Sequence, residues 1–149
     1  MNIYSIISKL TDNGEVHIYL DIDGVLANYN VGNLVDFKEK RILHNNVDSV
    51  KFLSTIPNVE LYILSICKDD MEKLSKNSFL DMNANFIMND HRIFLNKDDK
   101  SVMEIKSDYL KGLNRGNKIV YLDSDNSVLE YVKYNNNDIE VLHASELVD

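Results

Sequence analysis

Two apolar rhythms alternate along the chain. Short runs rich in β-branched and aromatic residues mark buried strands, and apolar positions three and four apart mark helices. Asn2 to Leu10 has helical spacing and ends in the turn Thr11-Asp12-Asn13-Gly14. Val16 to Ile22 (VHIYLDI) predicts the first strand. Val47, Val50, Phe52 and Leu53 predict a helix over 47–55; Pro57-Asn58 breaks it, and Val59 to Ser65 (VELYILS) is the second strand. Asp69 to Asn83 predicts a helix whose first turn carries Asp69 and Asp70, where negative charge meets the positive end of the helix dipole. Arg92 to Leu95 is the third predicted strand, and Lys100 to Leu113 a helix stopped by Gly112 and Gly116. Lys118 to Leu122, Ser127 to Tyr134 and Ile139 to Leu142 complete the pattern as strand, helix and strand.

Strands alternating with helices predict an α/β fold with a parallel sheet of about five strands, covered on both faces. No repeat or linker divides the chain, so residues 1–149 are expected to form one domain, with 25–47 as a small cap or insert. Ligands of such sheets bind beyond the carboxyl ends of the strands. The residues that follow each predicted strand are therefore the candidates: Asp21 and Asp23 after the first, Ser65 after the second, a lysine after the third and Asp123 after the fourth.

Asp21-Ile22-Asp23-Gly24 is the sharpest of these features. Two carboxylates two residues apart at a strand end project the same way, and Gly24 allows a sharp turn and a close backbone approach to a ligand. Like charges about 4 Å apart cost roughly 4 kcal/mol per pair at an effective dielectric near 20. Asp123 and Asp125 would join the same rim and raise that cost. A divalent cation relieves it, and oxygen-only ligands favour magnesium. A proton held on one carboxyl relieves it too, and is what a general acid needs. Asp21 is then placed to attack phosphorus as a nucleophile, and Asp23 to protonate the leaving oxygen and later activate water. Ser65 would donate to a phosphoryl oxygen, a lysine would offset its charge, and the metal would bridge Asp21, Asp123 and phosphate.

Composition narrows the partners. Hydrophobic residues make up 44% and charged residues 27%, which is globular composition. The net charge of −8 disfavours duplex nucleic acid but leaves room for a small phosphorylated substrate in a locally neutralised pocket. The single cysteine, Cys67, can form no internal disulfide, and a reducing, cytoplasmic setting is expected. It is read as a small buried or loop residue. Met1 to Leu10 lacks the features of a signal peptide, and no apolar run approaches the roughly eighteen residues of a membrane span. The acidic turn fails as an EF-hand, which needs its glycine at the sixth position; no P-loop or dinucleotide fingerprint occurs, and the histidines show no zinc-ligand spacing.

The ordered motifs LDIDGVL (Leu20–Leu26), LYILSIC (Leu61–Cys67), KDDK (Lys97–Lys100) and VYLDSDN (Val120–Asn126) resemble the haloacid dehalogenase-like superfamily over most of the chain, from about Val16 to Leu142. DIDGVLANY and the helix MEKLSKNSFLDMN look most like its 5′-nucleotidase branch of the deoxyribonucleotidase type. The resemblance implies a Rossmann-like three-layer sandwich, magnesium-dependent phosphatase activity and the roles above, and adds the backbone carbonyl of Asp23 as a metal ligand. Where that branch carries adjacent aspartates, this chain has Asp123-Ser124-Asp125, so Asp125 is either a further acidic site residue or the cap of the following helix. The lysine is one of Lys97, Lys100 and Lys106, with Lys100 favoured because it opens a predicted helix where the family's lysine sits. Tyr29 and Phe37 could stack a base or simply pack the insert. The competing readings are a non-catalytic phosphate or metal sensor of the same fold and a receiver-like phosphoacceptor domain; the latter places its nucleophile after a middle strand, not beside the acidic pair.

Overall fold

The first strand, β1 (Val16–Leu20), takes the centre of the sheet because nearly all of it is apolar on both sides. Val16, Ile18 and Leu20 enter one apolar cluster, whereas Tyr19 enters the other. The computed structural model describes residues 3–28 and 42–148. Around β1 lie β2 (Val59–Cys67), β3 (Arg92–Asn96), β4 (Lys118–Asp123) and β5 (Glu140–His143), in the order β3-β2-β1-β4-β5, all parallel.

Among the described residues, five helices cover the sheet. The helices α1 (Ile3–Leu10), α2 (His44–Leu53) and α3 (Asp70–Asn83) send Ile3, Ile7, Val47, Val50, Leu53, Phe79 and Leu80 into the cluster that holds Val16, Ile18 and Leu20. On the other face α4 (Val102–Lys111) and α5 (Asn126–Asn135) send Leu110, Val128, Leu129 and Val132 onto Tyr19, Leu64 and Tyr121. The result is a Rossmann-like three-layer sandwich, as the alternation of patterns predicts. The chain moves from β1 to β2 and β3 on one side, then crosses to β4 and β5 on the other. The crevice between the carboxyl ends of β1 and β4 is therefore the topological switch point, where such folds bind ligands.

Element ends are where expectation and structure part. Asp69 is an N-cap, not a first-turn residue, and accepts from the Glu72 N–H, whereas Asp125 takes its expected capping alternative and accepts from the Ser127 and Val128 N–H groups. The helix expected to open at Lys100 opens at Val102. Ser101 is its N-cap, and a capping box with Glu104 closes the first turn. The ends of the segment expected as an insert belong to the core: Val25, Leu26 and Ala27 are fully buried, Ala27 bridges Ile42, and the Leu43 N–H donates to the Leu26 carbonyl. Residues 29–41, with Tyr29 and Phe37, lie outside the described residues. Among the described residues no helix is long and apolar enough to cross a membrane.

Because Ser101 sets the start of α4, its loss acts on the helix that supplies Lys106. Ser101→Ala is expected to cost about 1 kcal/mol, lowering the thermal midpoint by roughly 2–4 °C. An unchanged midpoint in calorimetry would contradict the cap assignment.

Candidate active site

Strand parity decides which side chains meet. Leu20 pairs with Leu122 across β1 and β4, so Asp21 and Asp123 are opposite one another on the next step. The ladder runs one bond further, from the Asp21 N–H to the Leu122 carbonyl at 3.3 Å. Positions 19 and 21, like 121 and 123, point to the face covered by α4. From that face Lys106 reaches in: its Nζ lies 2.9 Å from Asp21 Oδ2 and 3.0 Å from Asp123 Oδ2. Tyr121, on the same side of β4, donates its phenolic O–H to Asp123 Oδ2. Asp123 Oδ1 accepts from the backbone N–H groups of Ser124 and Asp125. Asp21 Oδ1 accepts from the Ile22 N–H at 2.8 Å.

Ser65 lies on the opposite parity, toward α3, and a second lysine serves it. Lys76 Nζ donates to Ser65 Oγ at 2.7 Å and to the Ile66 carbonyl at 2.9 Å. It stands 3.1 Å from Glu72 Oε1 and 3.8 Å from Asp23 Oδ2. Lys76 can only donate, so it fixes Ser65 Oγ as an acceptor on that side and turns the serine proton away from the amine. Ser65 is fully buried and Lys76 only 2% exposed. The crevice thus receives one ammonium from each helical layer.

The turn after β1 completes the site. Gly24 has φ of +76°, a conformation other residues adopt at a cost, and the turn closes through its N–H to the Ala27 carbonyl at 2.7 Å. The Asp23 carbonyl accepts from Ser124 Oγ at 3.3 Å. The Ser124 carbonyl in turn lies 3.0 Å from His143 Nε2. Since His143 Nδ1 accepts from the Ser145 N–H, Nε2 carries the proton and donates to Ser124. The two acidic loops are laced together by this relay.

Asp21, Asp23, Ser65, Lys76, Lys106 and Asp123 line one cavity of about 330 Å³, together with Lys68, Lys97 and Asp125 and the apolar side chains of Val102 and Val128. Asp21, Asp23, Ser65 and Asp123 are all brought together, as their positions after the strands imply. Lys100 is not: it is exposed outside the cavity, its Nζ is 3.2 Å from Asp108 Oδ2, and that partner raises its pKa. The favoured choice of Lys100 is corrected to Lys106. The reason is helical phase: Lys106, Ser107 and Leu110 form the buried side of α4, while Lys100 precedes the helix altogether. Lys76 was missed, although a signal existed. It sits on the apolar side of α3 with Phe79 and Leu80, and a charge in an apolar stripe needs a reason to be there.

The electrostatics follow from burial. Burial opposes the charged form of Lys106, but the carboxylate of Asp21, with Tyr121 and Asp123, outweighs it and holds the amine well above its ordinary pKa. Burial and the charge of Asp21 raise the Asp123 carboxyl, against the pull of Lys106. Burial pushes the Cys67 thiol up to about 11, so it is mostly protonated at neutral pH, in keeping with a small core residue.

Among the described residues no three His, Cys, Asp or Glu side chains gather closely enough to hold a metal by themselves. Magnesium does not require that, since it keeps several waters and takes one or two carboxylates. The carboxylates of Asp21 and Asp123 and the Asp23 carbonyl are hard oxygen donors of the right kind. Lys106 already relieves part of the repulsion between the two carboxylates. Two carboxylates against one ammonium leave a single negative charge at this edge. No protein family profile matches the chain, and no curated protein matches its sequence.

Removing the ammonium exposes the repulsion. Lys106→Met is expected to destabilise the fold by about 3–5 kcal/mol at neutral pH. With no counter-charge, the Asp123 carboxyl, already raised by burial and by the charge of Asp21, rises further above its unfolded value. The variant should therefore regain stability as the pH falls from 7 toward 5, by more than the wild type does. A loss that stays equal across that range in denaturant titrations would contradict the arrangement.

Proposed function

We propose that the protein is a magnesium-dependent phosphomonoesterase of the haloacid dehalogenase-like type, working through an aspartyl phosphate on Asp21. A 5′-nucleotide is the favoured substrate, and a small sugar phosphate the rival within the class. The observation that carries this reading is the meeting of Asp21, Asp23, Ser65, Lys106 and Asp123 in one cavity at the carboxyl edge of the sheet.

In the first step Asp21 attacks phosphorus, forming an oxygen–phosphorus bond as the bond to the ester oxygen breaks. Asp23 gives its proton to that departing oxygen. In the second step Asp23 takes a proton from water, which attacks the same phosphorus, and the bond to Asp21 breaks to return the free carboxylate. Ser65, with its oxygen held by Lys76, directs its proton to a phosphoryl oxygen. Lys106 steadies the Asp21 carboxylate and offsets the charge of the phosphoryl group. Magnesium held by Asp21, Asp123 and the Asp23 carbonyl would neutralise phosphoryl oxygens and favour attack by one anion on another. Asp125, committed to capping α5, shapes the rim. The lone buried thiol fits a reducing, cytoplasmic setting.

The protein is expected to release phosphate from p-nitrophenyl phosphate with magnesium, and to stop with EDTA or in Asp21→Asn. Asp23→Asn should slow turnover roughly 10²- to 10⁴-fold while still binding a phosphate analogue. Unimpaired turnover in Asp21→Asn would overturn the mechanism.

A further inference from the structure

Two lysines of the cavity take no part in this chemistry. Cys67 and Asn96 are register partners at the ends of β2 and β3, and the Lys97 N–H donates to the Cys67 carbonyl at 3.0 Å. Lys68 and Lys97 are therefore the first residues past the ends of these two adjacent parallel strands. Both are exposed, and both line the cavity. Two like charges lining one cavity repel. Neither lysine has a carboxylate within ion-pair distance among the described residues. Among the described residues Lys97 Nζ donates to the backbone carbonyls of Asp98 and Lys100, at 2.6 Å each, and these neutral groups do not cancel its charge.

Acids are close at hand in sequence and yet are turned aside. Lys68 is followed by Asp69 and Asp70, and Lys97 by Asp98 and Asp99, but none of the four lines the cavity. Asp69 is spent on capping α3, and Asp98 Oδ1 accepts from the Lys100 N–H. Each strand end thus presents a cation to the crevice and directs its carboxylates elsewhere. The inner lysines differ: Lys106 is engaged by Asp21 and Asp123, and Lys76 by Glu72 and Asp23.

The geometry points to a second anion subsite formed by Lys68 and Lys97, so that the substrate is a phosphomonoester bearing another anionic group. The inference rests on the phosphatase reading for the first group. Asp21 follows β1, and the two lysines follow strands one and two places away. The second group therefore lies about 5–10 Å to the side of the reacting phosphorus. Nucleoside and sugar bisphosphates both span that separation.

Two substrate pairs test it: a deoxynucleoside 3′,5′-bisphosphate against the 5′-monophosphate, and fructose 1,6-bisphosphate against fructose 6-phosphate. In the wild type the bisphosphate member of at least one pair should show a tenfold or greater advantage in kcat/KM, and which pair shows it identifies the scaffold. In the double variant Lys68→Ala/Lys97→Ala that ratio should fall toward one. A second arm, equilibrium binding of the same compounds in EDTA, needs no turnover. Tighter binding of a bisphosphate that the double variant loses would uphold the subsite even if no ester were hydrolysed, in which case only the phosphatase reading would fail. Equal kcat/KM and equal binding within both pairs, or a preference that survives the double substitution, would overturn the subsite and leave the phosphatase reading standing.

Discussion

The ammonium of Lys106 between two carboxylates is the contact on which the crevice depends. Asp21 and Asp123 come from different strands, and the parallel register sets them opposite each other. Without a cation between them, the end of the central β1–β4 ladder would carry a buried anion beside a partly buried one. With Lys106 at 2.9 and 3.0 Å, the same pair becomes a tie between the sheet and α4. Tyr121 and two backbone N–H groups complete the shell of Asp123. Such a shell holds a carboxylate in one orientation, which a site handling a charged phosphoryl group requires.

A second tie, from the other helical layer, mirrors the first. Lys76 on α3 joins Ser65 to the neighbourhood of Asp23, as Lys106 on α4 joins Asp21 to Asp123. Both amines are almost wholly buried, and burying a charge is tolerable only because each meets oxygen acceptors at short range. The proposed chemistry uses this division. The Lys106 side governs the attacking carboxylate, and the Lys76 side governs the serine that would receive phosphoryl oxygen. Lys68 and Lys97 stand outside both ties, at the mouth.

Much of this was legible in the sequence, for a physical reason. Apolar runs such as VHIYLDI and VELYILS are short and flanked by turns, so strand positions and the residues that follow them could be read directly. The pattern alone places Asp21, Asp23, Ser65 and Asp123 at one sheet edge. The lysines were not legible in the same way. Whether Lys100 or Lys106 points inward depends on where α4 begins, and the Ser101–Glu104 capping box shifts that start by two residues. Lys76 is marked only by its phase with Phe79 and Leu80, a signal that emerges once the face of α3 is known. The lacing of Ser124 to the Asp23 carbonyl and of His143 to Ser124 joins loops far apart in the chain, and no local pattern announces it.

The central claim is that Asp21 takes the phosphoryl group onto its own carboxylate. Acid quenching during turnover, followed by borohydride reduction and peptide mass spectrometry, addresses it directly, because an acyl phosphate is reduced to the alcohol whereas a free carboxylate is not. The account predicts conversion of residue 21 to homoserine only when substrate and magnesium are both present. Conversion at Asp23 or Asp123 in its place, or steady phosphate release with residue 21 never modified, would contradict it.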